Sequence, residues 1–220
     1  MTEDASDNHY VVCPLAYELA GLRRRGVSRH FNMELCGMGA VSLSRWSQSV
    51  NIPAGSKVWL AGLAGGLNPH LKMGQAYAIS GVLGTSDADL KPPLQALAPA
   101  ATIVSVDQPL ASIDQKAKTY ADTQSDLVDM EAMAFAQIAE EKGWEWGVIK
   151  GISDASDQEL PPLVEKMTMT TGRPQMWQMA WAIASHPQQI PALLALGRHA
   201  RRALDSVAAC LIASIQKQAS

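Results

Sequence analysis

The stretch from Asp129 to Asp157, DMEAMAFAQIAEEKGWEWGVIKGISDASD, constrains the fold of this chain more than any other. Met133, Ala134, Phe135, Ile138 and Ala139 recur at helical spacing, while Gln137, Glu140, Glu141 and Lys142 supply a polar side. Gly143 follows directly and is read as the helix stop. The next run, Trp144 to Ile149, is short, aromatic and β-branched, which predicts a strand. Ser153 and Asp154 then lie just past the carboxyl end of that strand, where open α/β sheets build their sites. Glu131 lies at the mouth of the helix. These residues admit two readings of Asp154. It caps the following turn, as Asp and Ser often do, or it faces a pocket from one side while Glu131 faces it from another.

Elsewhere strands alternate with helices, which places the chain in the α/β class. His9 to Pro14 (YVVCP at its centre) predicts a strand running into a helix from about Leu15 to Arg25. Glu18 falls in the first turn of that helix, where the helix dipole favours a carboxylate. Phe31 to Gly39 ends in the glycine-rich LCGMGA, and a helix through Trp46 follows. Lys57 to Gly62 predicts a buried strand running into the turn AGLAGGL, and Gln75 to Ser80 another strand. Leu90 to Ala101 is proline-rich and reads as a surface loop. It precedes a strand at Ala101–Val106, the turn SVDQPLAS and a helix near Gln115–Thr123. Pro161–Gly172 is loop-like. After it come a helix with Trp177 and Trp181, a break at Pro187 and Pro191, and a terminal helix from about Leu193 to Gln216.

At 220 residues with 47% apolar content, the chain is long enough for one domain with a full core. Its net charge of −3 lacks the basic surface that extended nucleic-acid binding needs. The clusters Arg23–Arg25 and Arg198, Arg201, Arg202 are read as solvated helix faces. Cys13, Cys36 and Cys210 show neither a paired framework nor metal-ligand spacing, which fits a reducing, cytoplasmic setting and no metal. The polar, acidic start is unlike a signal peptide, and no apolar run is long enough to span a bilayer. His70 is read as a turn residue, His199 as exposed, and Trp144 and Trp146 as core.

Two glycine-rich turns follow strand candidates, one with Gly37 and Gly39 and one with Gly62, Gly65 and Gly66. Without a Cβ, backbone N–H groups there approach an anion or a ribose closely. Neither turn matches a P-loop or a dinucleotide fingerprint, and tight packing explains each of them equally well.

The order of these features resembles the nucleoside phosphorylase and nucleosidase superfamily, which includes methylthioadenosine/S-adenosylhomocysteine nucleosidases and purine and uridine phosphorylases. The resemblance runs through PLAYEL, CGMG, LAGLAGGL, VDMEAMA and VIKGISD, and so covers nearly the whole chain. The tail GRPQMWQMAWAIASHPQQIPALLALGRHARRAL and the VDQPLAS…K run are similar to the hopanoid-associated branch, whose members are thought to remove adenine from adenosylhopane.

The resemblance implies a three-layer αβα sandwich with a mixed central sheet, and N-glycosidic cleavage of a 5′-modified purine nucleoside that releases adenine. By position, Glu18 activates the attacking water. Glu131 binds the ribose hydroxyls beside Met130, with Gly37, Gly39 and Gly65 close to the substrate. Asp154, oriented by Ser153, protonates the base. To hold a proton near neutrality Asp154 needs burial or a neighbouring carboxylate. No organic cofactor is implied, and the expected assembly is a homodimer or larger homo-oligomer. Hydrolysis is favoured over phosphorolysis, because a carboxylate beside the nucleophile activates water but repels phosphate. Phosphorolysis would take inorganic phosphate as co-substrate, held by Arg24 or Arg25 with the Gly37/Gly39 turn.

Three positions depart from the family pattern. Leu63 stands where relatives often carry Ser or Thr, Pro109 falls near the place where the nucleosidases put an aromatic ring on the base, and Lys150 replaces an arginine fork. They favour the alternative of a catalytically silent nucleoside-binding member, which the joint presence of Glu18, Glu131 and Asp154 opposes. Met169, Met176, Trp177, Met179 and Trp181 form an adaptable apolar cluster. It serves either as core or dimer interface, or as the contact for a lipid-like 5′ group.

Overall fold

A computed structural model describes residues 8–84, 89–160 and 190–218. Its strands are β1 (His9–Cys13), β2 (Asn32–Leu35), β3 (Lys57–Gly66), β4 (Ala76–Leu83), β5 (Asp89–Leu90), β6 (Ala100–Ser105), β7 (Leu127–Asp129) and β8 (Glu145–Asp154). Its helices are α1 (Ala16–Arg24), α2 (Gly39–Ser49), α3 (Ile113–Thr123), α4 (Ala132–Lys142) and α5 (Ile190–Gln218).

The strands form one mixed sheet in the order β2-β1-β3-β7-β6-β4-β5, and β8 bridges β3 and β4. The strands β3, β8, β4, β6 and β7 therefore close into a ring. Closure needs long strands, and β3 and β8 have 10 residues each, about 33 Å of extended chain. β3 pairs with β1 over Lys57–Leu60 and with β7 at Gly65 and Gly66, while β8 lies along its other edge throughout. The far part of β8, Ile149 to Gly151, also pairs antiparallel with β4.

Both faces of the sheet are covered by helices. On one face α1 and α5 bring Leu19, Leu22, Leu204, Val207 and Leu211 against Val11, Trp59, Ala61, Ala78 and Ile149. On the other, α2 and α4 bring Leu43, Phe135, Ala136 and Ala139 against Val12, Val58, Leu60, Tyr77, Trp146 and Val148. The alternation of partners along β1, β3 and β8 follows from the two-residue period of a strand. The architecture is the expected αβα arrangement with a mixed sheet, and the ring closure adds to it.

Local chemistry explains most boundaries. α3 begins on a Ser112 cap whose hydroxyl accepts the Gln115 N–H (3.2 Å), while the Gln115 side chain accepts the N–H of Ser112 (3.1 Å). α4 stops at Gly143, whose φ of 67° is left-handed. α5 carries Pro191 in its first turn, where the missing N–H costs nothing. Trp144 and Trp146 are core, and the Trp146 indole N–H donates to Glu140 Oε1 at 2.6 Å.

The structure corrects several expectations. The glycines of AGLAGG do not form a turn, because Gly62, Gly65 and Gly66 are the last part of β3. β8 does not end at Ile149. It continues through Lys150, Gly151, Ile152 and Ser153 to Asp154, so Asp154 closes the strand rather than following it. The charged Lys150 interrupts the apolar pattern that predicts the strand, yet its backbone stays paired with both β3 and β4. β7 carries no sequence signal of its own, because three residues are too few to set up a period. The segment between β5 and β6 is only partly a surface loop, since Ala96 is buried and Leu94 and Ala98 pack against the core. His199 is half-buried rather than exposed, and its Nδ1 lies out of solvent. The expected loop at Pro161–Gly172, the helix with Trp177 and Trp181, Pro187 and the Met/Trp cluster lie outside the described residues.

Where β8 passes beneath α5 there is room only for glycine. A Cβ on Gly151 would stand 2.8 Å from Ala203 Cβ and 2.9 Å from the Ala203 carbonyl oxygen. Gly151→Ala is therefore expected to cost about 1–3 kcal/mol by overpacking, read as a lower urea midpoint at unchanged m-value. A wild-type midpoint would mean that α5 is free to move off the sheet.

Candidate active site

Glu18 enters the molecule from the first turn of α1 and is buried (2% exposed). Its Oε2 accepts the N–H of Leu15 (3.0 Å), which ties it to the start of its own helix, and its Oε1 accepts the N–H of Leu63 on β3 (2.8 Å). The fit requires glycine beneath it, since a Cβ on Gly62 would lie 2.7 Å from Oε1. Burial pushes the Glu18 carboxyl up to about 7, against the opposing pull of Lys150 and the Leu63 N–H, and Glu131 adds to the rise.

Glu131 precedes α4 but does not cap it. Asp129 takes that task, its carboxylate accepting the N–H of Ala132 at 3.1 Å, while Ser105 donates to Asp129 and accepts the Met133 N–H. The Glu131 side chain is thereby free to reach α2, where Oε1 accepts the N–H of Gly39 at 2.7 Å. Gly39 has φ +78° and Gly37 φ +80°, left-handed values that keep this turn open to the carboxylate. Burial raises the Glu131 carboxyl above its ordinary value, with Lys150 opposing and Asp129 adding.

Lys150 compensates this negative charge. It is fully buried, with its ammonium 2.8 Å from Asp129 Oδ2. Burial disfavours its charge; Asp129, Glu131 and Glu18 outweigh that and hold the ammonium above the ordinary lysine value.

Asp154, at the end of β8, is 4% exposed. Ser153 donates to its Oδ1 at 2.6 Å, and the Lys116 ammonium, reaching in from α3, donates to its Oδ2 at 2.6 Å. The burial expected for Asp154 is present. Its charged neighbour is the Lys116 cation, so of the two alternatives, burial or a neighbouring carboxylate, burial is the one present.

These groups open on a cavity of about 970 Å³. Glu18, Gly65, Met130, Glu131, Ser153 and Asp154 all line it, from β3, β8, α1 and the β7–α4 junction. Gly37 and Gly39 do not line it, although Met38 between them does, and Gly39 contributes through its bond to Glu131. Leu63 and Pro109 also line the wall; Lys150 lies behind it. Lys116 and Asp129 complete the site without having stood out in the sequence as site residues, and Gly62 serves by making room for the Glu18 carboxylate. Lys116 is the one buried residue of a polar helix and carries no sequence signal of burial. Among the described residues no group of three or more His, Cys, Asp or Glu side chains is arranged to hold a metal ion.

The Phosphorylase superfamily profile matches residues 96–171, a segment that contains Asp129, Glu131 and Asp154. No curated protein matches the sequence. Solved structures extend the likeness to nearly the whole chain. The Helicobacter pylori 5′-methylthioadenosine/S-adenosylhomocysteine nucleosidase with butyl-thio-DADMe-Immucillin-A is 14% identical, with 97% of this chain and 100% of that chain covered and a TM-score of 0.66. The corresponding nucleosidase of Chlamydia trachomatis bound to adenine is 16% identical, with 94% and 97% covered and a TM-score of 0.63. The futalosine hydrolase of Helicobacter pylori is 13% identical, with 94% and 96% covered and a TM-score of 0.64. The chain has the mixed α/β fold of these nucleosidases.

Lys150→Met is expected to cost about 3–5 kcal/mol, because it leaves buried carboxylates uncompensated. The loss should be larger at pH 8 than at pH 5, where Glu18, raised to about 7, has taken up a proton. Urea unfolding at the two pH values checks this, and equal losses would remove charge as the reason.

Proposed function

We propose that this chain cleaves the N-glycosidic bond of a purine nucleoside carrying a 5′ substituent and releases adenine, with water as the nucleophile. The observation that carries the reading is the convergence of Glu18, Glu131 and Asp154 on one cavity. Each Glu18 oxygen spends one lone pair on a backbone N–H and keeps another for a water. Glu18 takes the proton of that water as it attacks C1′. The C1′–N9 electron pair passes to the base, and Asp154 gives the base a proton. The sugar carries positive charge in the transition state, which the carboxylates of Glu18 and Glu131 stabilise. Glu131 accepts from the ribose hydroxyls, beside Met130.

Hydrolysis is favoured over phosphorolysis by the charge of the site. The N–H groups of Leu63 and Gly39, which would otherwise suit an anion, already serve Glu18 and Glu131. Arg25 is tied to Asp205 and to the carbonyls of Gly21 and Arg201. A hydrophobic 5′ group, such as the hopane of adenosylhopane, is supported by the apolar side of the cavity, where Leu160, Leu193, Leu196 and Leu204 lie.

The test is adenine release from 5′-alkylthio adenosines, with and without inorganic phosphate. Release without phosphate is expected, and release only with phosphate would overturn the hydrolytic reading. Below pH 7, kcat/KM should fall about tenfold per unit, because Glu18 works as the carboxylate and its carboxyl lies at about 7. A flat profile between pH 5 and 7 would remove Glu18 as the base. Asp154→Asn should lower kcat by about 10²–10⁴-fold with KM little changed.

A further inference from the structure

Helix α3 buries one residue, and that residue is a lysine. Its neighbours Ile113, Asp114, Gln115, Ala117 and Lys118 are exposed, while Lys116 is 1% exposed. A helix facing solvent gains nothing from burying an ammonium unless that charge is used. All three donors of Lys116 are taken. One goes to Asp154 Oδ2 (2.6 Å), and the others go to the carbonyls of Ala155 and Gln158 (2.8 Å each). The two carbonyls belong to the turn that leaves β8, so Lys116 clasps both the Asp154 carboxylate and the backbone just after it. It also lines the cavity.

We propose that Lys116 is the positioning residue of the acid and the source of its proton, an inference that rests on the nucleosidase reading above. As the C1′–N9 bond breaks, its electron pair goes to the base. The Asp154 carboxylate takes a proton on Oδ2 from the Lys116 ammonium and hands it to the base, so that Asp154 is a carboxylate again when the base leaves. Lys116 is left a neutral amine whose two remaining N–H groups still donate to Ala155 and Gln158, with its lone pair toward Asp154. Solvent returns the proton after the base leaves. Ser153 holds Asp154 Oδ1 throughout.

The test compares two leaving groups on the same 5′-substituted ribose: adenine, which needs a proton, and 4-nitrophenolate, which does not. Lys116→Met should lower kcat for the adenine nucleoside about 10²-fold, leave its KM within about threefold, and cleave the nitrophenyl riboside at the wild-type rate. Lys116→Gln, neutral but still able to donate to a carbonyl, should behave alike and serves if the methionine variant does not fold. Adding Lys116→Met to Asp154→Asn should cause no further loss. Equal losses on both substrates would reduce Lys116 to a structural role and overturn the proposal, as would an unchanged kcat for the nucleoside. Wild-type protein that cleaves neither substrate would overturn the nucleosidase reading itself, a separate result.

Discussion

The structure depends on one buried positive charge. Lys150 lies in the middle of β8, paired on both sides, where its ammonium has no route to water. Such a charge is tolerated only beside compensating groups, and Asp129, Glu131 and Glu18 supply them from the β7–α4 junction and α1. The dependence is mutual. Two buried glutamates are stable only with a cation beneath them, so the lysine and the acids must be assembled together. The same acids also cap α4 and anchor the starts of α1 and α2.

Ring closure of the sheet makes that assembly possible. The ends of β3 and β8 lie side by side, with Gly65 paired to Asp154 and β7 across from Gly65. Three acid-bearing segments distant in sequence are thereby brought to one rim. The glycines of β3 let the acids approach its backbone, since a Cβ on Gly62 or Gly65 would stand 2.7 Å or 3.3 Å from a carboxylate oxygen. These glycines serve by their lack of a side chain within a strand, a different use from the turn that AGLAGG suggests.

Much is legible in the sequence where the chain carries a strong period or a strong stop. The helix ending at Gly143, the core tryptophans and the start of β8 all follow from residues within a few positions of each other. Glu18, Glu131 and Asp154 are legible as acids at element ends, and the structure brings them to one cavity. The far half of β8 is not legible, because Lys150 and Gly151 break the apolar run and their partners lie on β3 and β4. β7 is not legible because three residues set no period. Lys116 is hidden for a similar reason: its helix is polar, and only Asp154, 38 residues further on, explains its burial.

The sequence by itself determined the alternation of helices and strands, the helix stops and caps, and which residue types stand at the ends of elements. These depend on local backbone preferences and on the period of apolar side chains. Tertiary structure alone decided which acids share a cavity, which cation balances each of them, and that glycines in a strand make room for a carboxylate. Charge balance and close approach are properties of groups in space, and the residues concerned lie tens of positions apart along the chain.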